Sequence, residues 1–128
     1  MSPASKSKYI KHQDDMPRYG PPGHAGTTNI RLFDRTFCEN FEMVLGEIEP
    51  GGIADRHSHD IEHQAMYVLE GNARVTLADD EPVDCGPGAT IELPPGLAHE
   101  VESLGPDNLK LMIVYSPPLP PRADTPIS

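Results

Sequence analysis

The chain has 128 residues and a formal net charge of −10, and 37% of its residues are hydrophobic. This length suits a single domain with its own core, and the longest apolar run, residues 111–115, is too short to cross a bilayer. A negatively charged protein repels the phosphate backbone of nucleic acids, so we expect neither a membrane nor a nucleic acid as a partner.

The first segment, residues 1–35, is predicted to be an extended and mostly irregular arm. Its residues 1–22 are rich in lysine, serine, aspartate and proline and contain no apolar stretch typical of a secretory signal. Cys38 and Cys85 are too few for a disulfide scaffold, which favours a reducing compartment. We therefore expect a cytoplasmic protein.

The central segment, residues 36–116, shows short apolar alternation and no helical spacing. Phe41, Met43 and Leu45 occupy every second position, and a second alternation runs over residues 73–77. Glycine and proline turns separate such runs, which predicts an all-β sandwich or barrel of half-buried strands. The run 109–115 is almost continuously apolar and predicts a strand buried on both faces.

The last segment, residues 117–128, is a tail of polyproline II composition. It contains five of the fifteen prolines of the chain. We expect a solvated end and assign it no function.

Three histidines of the central segment have a spacing that suits a metal site. His57 and His59 lie two residues apart, so on a strand both side chains point to the same face. His99 follows the rigid turn Pro94-Pro95-Gly96, which can aim its side chain toward them. A histidine pair of this kind is also common on a solvated strand, so the pair alone does not decide between the two interpretations.

Two longer patterns surround these histidines. The first follows G-x5-H-x-H-x3,4-E-x6-G with glutamine at the glutamate position, and its residues are Gly51, His57, His59, Gln64 and Gly71. The second follows G-x5-P-x-G-x2-H-x3-N with serine in place of asparagine, and its residues are Gly88, Pro94, Gly96, His99 and Ser103. In these two ordered patterns, separated by a 16-residue spacer, the chain resembles the cupin superfamily.

The resemblance covers roughly residues 41–115 and implies an all-β double-stranded β-helix, a small jelly-roll barrel. It also implies one divalent metal ion held by His57, His59, His99 and a residue at the glutamate position. Counting back from Gly71, only Gln64 fits that position. The alternative third ligand is His63, which a shorter spacer and the stronger affinity of imidazole for metals both allow. Glu62 is a further possibility whose spacing fits neither count.

Without a carboxylate ligand the site keeps close to the full charge of the ion and is a stronger Lewis acid. Such ligands do not select among Mn, Fe, Co, Ni and Zn. The candidate catalytic residues are His63 and Tyr67, which would donate or accept protons at the substrate. Other groups with the required chemistry are Tyr115, Glu47 and Glu92, but packing or solvent exposure accounts for them better. Nothing near Cys85 indicates a lowered thiol pKa, so we interpret it as structural.

The resemblance leaves three classes of function open, because this fold hosts many activities. The first is a Lewis-acid isomerase, tautomerase or lyase on a carbonyl or sugar-derived substrate, since the ligand pattern is similar to that of small cupins that convert unsaturated uronates. The second is a dioxygenase similar to the quercetinase-like or diketone-cleaving cupins. The third is a non-catalytic module that binds a small molecule.

The arm also has two open interpretations. Residues 19–32 either pack over the barrel mouth or reach a partner subunit, and a simple surface arm is the alternative. Because the sheet edges of a small sandwich need to be covered, we expect a homodimer.

Overall fold

The computed structural model describes residues 7–127, and over that range it contains ten β-strands and one short 3-10 helix, Gln13–Asp15. The strands are β1 Arg18–Gly20, β2 His24–Phe33, β3 Glu42–His57, β4 His63–Glu70, β5 Ala73–Leu77, β6 Val83–Cys85, β7 Thr90–Leu93, β8 His99–Ser103, β9 Leu109–Ser116 and β10 Thr125–Ile127. Among the described residues no helix is long and apolar enough to span a membrane.

The long strand β3 connects two sheets. Its first half, residues 42–48, pairs with β9, and its second half, residues 53–57, pairs with β8, while β2 runs antiparallel along its other edge. From there one sheet continues through β9 to β4 and β7, and the other continues through β8 to β5 and β6. The all-β double-sheet architecture predicted from the sequence is therefore confirmed.

The core between the two sheets is mainly aliphatic. Its buried side chains are Val44, Ile48, Ala54, Met66, Val68, Ala73, Val75, Ile91, Leu93, Val101, Leu109, Leu111, Ile113 and Leu119, together with the aromatic Tyr115. Full burial of one of the larger aliphatic side chains contributes about 1.5–3 kcal/mol, so the core is the main source of stability. On β9 only every second residue is buried, whereas Met112 and Val114 are half-buried. The expectation that β9 is buried on both faces was wrong, because its outer face has no second layer over it among the described strands.

On β3 the buried face carries Glu42, Val44, Gly46 and Ile48. Met43 and Leu45, the more apolar set, lie half-buried on the outer face. The buried face accommodates the Glu42 carboxylate because this group accepts hydrogen bonds from Nε of Arg31, at 3.0 Å, and from the backbone N–H of Leu119, at 2.9 Å. Polar contacts from both ends of the chain thus set the orientation of β3.

The two ends of the chain are more ordered than the sequence indicated. The β2 strand lies within the predicted arm and pairs with β3 over most of its length, and β10 of the tail pairs with β1. The expectation of irregular backbone was therefore wrong for residues 24–33. These residues form β2 because their pairing satisfies the backbone donors and acceptors along the edge of β3 that would otherwise be free. Cys38 and Cys85 are both free thiols.

Candidate metal centre

Three histidines converge where β3 and β8 meet. His57 is the last residue of β3, His99 is the first residue of β8, and the two are register partners, while His59 follows two residues after β3 ends. One side-chain nitrogen from each of the three lies within 4.8 Å of the others. The ring centroids are 4.3 Å apart for His57 and His99 and 5.0 Å apart for His57 and His59. The three imidazoles can therefore share one cation.

Backbone carbonyls orient two of these rings. Nδ1 of His57 lies 2.6 Å from the carbonyl oxygen of Asp55, and Nδ1 of His99 lies 2.9 Å from that of Leu97. Since a carbonyl only accepts, the Nδ1–H group of each ring is the donor, and the lone pair is then on Nε2. This is the usual arrangement of histidine ligands, in which the second nitrogen is fixed by a hydrogen bond.

Three buried polar atoms at this site have no hydrogen-bond partner in the described part of the chain. They are Nε2 of His59, Nε2 of His99 and Oε1 of Gln64. The Gln64 amide also lies near enough to the His59 ring to influence its pKa, so the two side chains face the same site. Each unpartnered buried group costs about 1–3 kcal/mol, so such a set is unusual unless a ligand satisfies it. Imidazole nitrogens with an amide oxygen are suitable ligands for a divalent transition metal. The residues present therefore fit the metal ion that the sequence patterns imply.

The β4 strand separates the two candidates for the third ligand position. Gln64 is 6% exposed and points into the barrel, whereas His63 is exposed on the opposite face. Tyr67 shares the outer face with His63 and is 45% exposed, so neither of these two candidate catalytic residues lines the cavity at the histidines. Glu62 is buried but belongs neither to the histidine cluster nor to the cavity lining.

Burial keeps the imidazoles of the site uncharged. Burial, followed by the proximity of His57 and His99, lowers the pKa of His59 from 6.5 to about 4. Burial also lowers the pKa of His99, and together with His57 it lowers that of His24 to about 4. These rings are therefore neutral near pH 7, which leaves their lone pairs free to bind a cation.

A small cavity of about 30 Å³ opens beside the histidines. Because about 10–15 Å³ of such volume holds one water molecule, the cavity holds about two or three waters, and it opens toward the surface. Its walls are mostly aliphatic, and its polar lining residues include His24, Asn29, Gln64, Tyr115 and Arg122. Burial raises the pKa of Tyr115 to about 12, so its hydroxyl stays protonated. Glu47 and Glu92 lie outside this lining.

His24, Asn29 and Arg122 are polar lining residues that were not among the predicted site residues. His24 and Asn29 belong to the segment 19–32, for which packing over the barrel mouth was one of the expected interpretations, whereas Arg122 belongs to the tail that was expected to be solvated. A correct assignment of β2 would have placed His24 beside His57, whose ring centroid is 6.3 Å away. For Arg122 no local sequence pattern gives a signal, since its position depends on contacts between the two ends of the chain.

Comparison with known proteins identifies the family and the fold. The family model of the cupin domain matches residues 44–115. A germin-like protein, subfamily T member 3, of Arabidopsis thaliana is 31% identical over 106 residues, which are 80% of this chain and 47% of that protein. The chain spans about half the length of the curated relatives it matches.

Two solved structures share the fold. The polyketide cyclase RemF of Streptomyces resistomycificus has a TM-score of 0.75 and 27% identity, and the match covers 93% of this chain and 84% of that protein. A predicted oxalate decarboxylase of Thermotoga maritima has a TM-score of 0.73 and 18% identity, and the match covers 84% and 97% of the two chains.

Proposed function

Because the chain belongs to the cupin domain family, we propose that it is an enzyme that uses a bound divalent metal ion as a Lewis acid on a small oxygenated substrate. The observation that carries the proposal is the set of unpartnered atoms on His59, Gln64 and His99, at one site with His57. These four residues would hold the ion. The metal would polarise a carbonyl or hydroxyl oxygen of the substrate.

The residues that line the cavity favour a reaction that does not consume molecular oxygen. No aspartate or glutamate is among the described residues that line it, so a carboxylate base is absent from its walls. Tyr115 supplies a protonated hydroxyl, and His24, whose Nδ1 lies 3.1 Å from Oγ1 of Thr27, supplies a neutral imidazole. These groups can hold a substrate oxygen or exchange a proton with it, as isomerisation, tautomerisation and elimination require. The similarity to a polyketide cyclase at 27% identity also favours a substrate with carbonyl groups.

The first test is the metal content of protein purified without added metal or a histidine tag. We expect close to one divalent ion per chain in the wild type and almost none in the His57→Ala/His59→Ala double variant. A wild type that stays metal-free after divalent ions are supplied would overturn the proposal and favour a binding module. In a wild type that does contain metal, the same measurement identifies the ion as Mn, Fe, Co, Ni or Zn.

A second test separates the two enzyme classes. Lewis-acid chemistry predicts that the metal-loaded protein catalyses exchange of deuterium from D₂O onto the carbon next to a carbonyl group. NMR on a panel of small carbonyl compounds measures this exchange. Oxygen should not be consumed. Turnover that consumes oxygen would replace the proposal with a dioxygenase.

The homodimer expected from the sequence is part of the same proposal. What supports it is an apolar row on the outer sheet face, in which Ile30, Leu45, Met112 and Tyr67 are successive register partners on β2, β3, β9 and β4. A row of this kind can be covered by the same row of a second copy. The cytoplasmic location stays a prediction.

A further inference from the structure

The charge of the candidate cavity differs from the charge of the whole chain. Although the net charge is −10, the described residues that line the cavity include no acidic side chain and one permanently charged group, the guanidinium of Arg122. The cavity is therefore a site of positive potential in an acidic protein, and this holds before any metal ion binds.

Contacts made by the residues just before Arg122 in the C-terminal segment help to fix its position. Leu119 is 6% exposed, and its backbone N–H donates to Oε1 of Glu42 at 2.9 Å. Arg35 donates from Nη2 to the carbonyl oxygen of Pro118 at 2.9 Å. These contacts attach the first part of the C-terminal segment to the barrel.

The other side of the segment is attached as well. Oδ2 of Asp124 accepts from Nη2 of Arg31 at 3.1 Å, and the backbone N–H of Asp124 donates to the carbonyl oxygen of Arg122 at 2.9 Å. The strand β10 then pairs with β1. Arg122 is thus held at the cavity by ordered chain on both sides, which is how a binding residue is pre-organised.

The guanidinium of Arg122 has no carboxylate partner of its own. The central carbon of the guanidinium lies 6.0 Å from the ring centroid of Tyr115. The ring centroid of His59 lies 5.5 Å from that same Tyr115 centroid. Within residues 7–127 no Asp or Glu oxygen lies within 4.0 Å of its nitrogens, in contrast to Arg31 and Arg74, which both form ion pairs. The guanidinium forms a hydrogen bond with the Tyr115 hydroxyl and has no counter-ion, so its remaining N–H groups can bind an anion from solution.

We propose that Arg122 binds the carboxylate of the substrate, and that the substrate is a small oxo acid whose carbonyl oxygen lies at the histidine cluster. The placement of the carbonyl oxygen at the histidines rests on the proposed function. The proposal extends that function by naming the substrate class. An arginine fork matches a carboxylate with two parallel hydrogen bonds. The small volume of the cavity favours a short substrate, and a monocarboxylate also avoids strong repulsion by the acidic body of the protein.

The test compares two probes that have the same number of non-hydrogen atoms, pyruvate and its neutral amide, pyruvamide. Binding to the full chain is measured by calorimetry, with the protein loaded with zinc and again after a chelator has removed the metal. We expect pyruvate to bind at least about tenfold more tightly than pyruvamide in both states. Arg122→Gln should weaken pyruvate binding by about tenfold and leave pyruvamide binding unchanged.

Two further variants serve as controls. Arg74→Gln removes an exposed arginine that pairs with Asp84 away from the cavity, and it should leave both affinities unchanged. Arg122→Lys keeps the charge but loses the fork, so it should weaken pyruvate binding several-fold even if Arg122→Gln does not fold. Thermal unfolding of each variant confirms that the fold is intact.

The outcomes separate this inference from the proposed function. Unchanged pyruvate affinity in Arg122→Gln, or in Arg122→Lys where Arg122→Gln does not fold, would overturn the role of Arg122 whether or not a metal binds. A wild type that binds neither probe would overturn it as well. If the chain binds no metal and still loses its preference for pyruvate in Arg122→Gln, the carboxylate site stands and the Lewis-acid function fails.

Discussion

At the scale of single residues, the side chain of β4 that completes the candidate metal centre determines its chemistry. Gln64 points into the barrel with an unpartnered oxygen, and His63, its neighbour, points to solvent. We predict that Gln64→Ala weakens Zn²⁺ binding by tenfold or more and that His63→Ala leaves it unchanged. Equilibrium dialysis against a competing chelator measures both affinities. A large loss in His63→Ala alone would instead support the four-histidine site.

A second prediction concerns the thiol of Cys85. Burial, and then the negative charge of Asp84, raise its pKa from 9.0, so less thiolate is present at a given pH than on a free thiol. In a Cys38→Ser variant, alkylation of Cys85 by iodoacetamide, followed by mass spectrometry, should reach half its maximal rate at a higher pH than alkylation of glutathione. Asp84→Asn should move this midpoint to lower pH. A midpoint at or below that of glutathione would contradict the assignment.

At the scale of the strands and their turns, two glycines of the first sequence pattern have different roles. Gly51 and Gly71 both have φ of +83°, but a Cβ at Gly71 would lie 2.5 Å from the carbonyl oxygen of Asn108 and 2.8 Å from Cα of Leu109. At Gly51 nothing lies within 4 Å. We expect Gly51→Ala to lower the free energy of unfolding by about 1 kcal/mol, the cost of left-handed backbone, and Gly71→Ala to lower it by about 3 kcal/mol or more.

Urea unfolding followed by circular dichroism measures both variants. Gly51→Ala is the matched control because it has the same φ without the clash against the β9 backbone. Equal losses of stability in the two variants would show that backbone conformation alone explains the glycine at position 71.

The strands also show how far the sequence predicted the fold and the site. Gln64 and His63 lie on opposite faces of β4, as the two-residue period of a strand requires of neighbouring residues. The spacing of His57 and His59 likewise predicted that both would face one site. The orientation of β3 was not predictable, since Glu42 is buried only with the help of Arg31 and Leu119, which are distant in the chain.

At the scale of the whole molecule, the two ends of the chain complete the barrel. The N-terminal segment contributes β2 and His24, and the C-terminal segment contributes Arg122 and β10. Composition indicated solvated ends because it reports local preference and carries no information about pairing between residues roughly one hundred positions apart. Arg122 reaches the cavity through such long-range pairing, which is why the sequence gives no signal for it.

The outer sheet face makes the last prediction, which concerns the oligomeric state. Tyr67 is 45% exposed in the row that it forms with Met112 and Leu45, and burial of this row against a second copy would remove apolar surface from water. We expect light scattering during gel filtration to give twice the 14.0 kDa chain mass for the wild type. Tyr67→Glu places a charge in the row and should give single chains. Val83 is 63% exposed on β6, far from this row in strand order, so Val83→Glu should leave the dimer intact. A wild type that is monomeric at all concentrations, or equal dissociation by both variants, would show that this face is not the dimer interface.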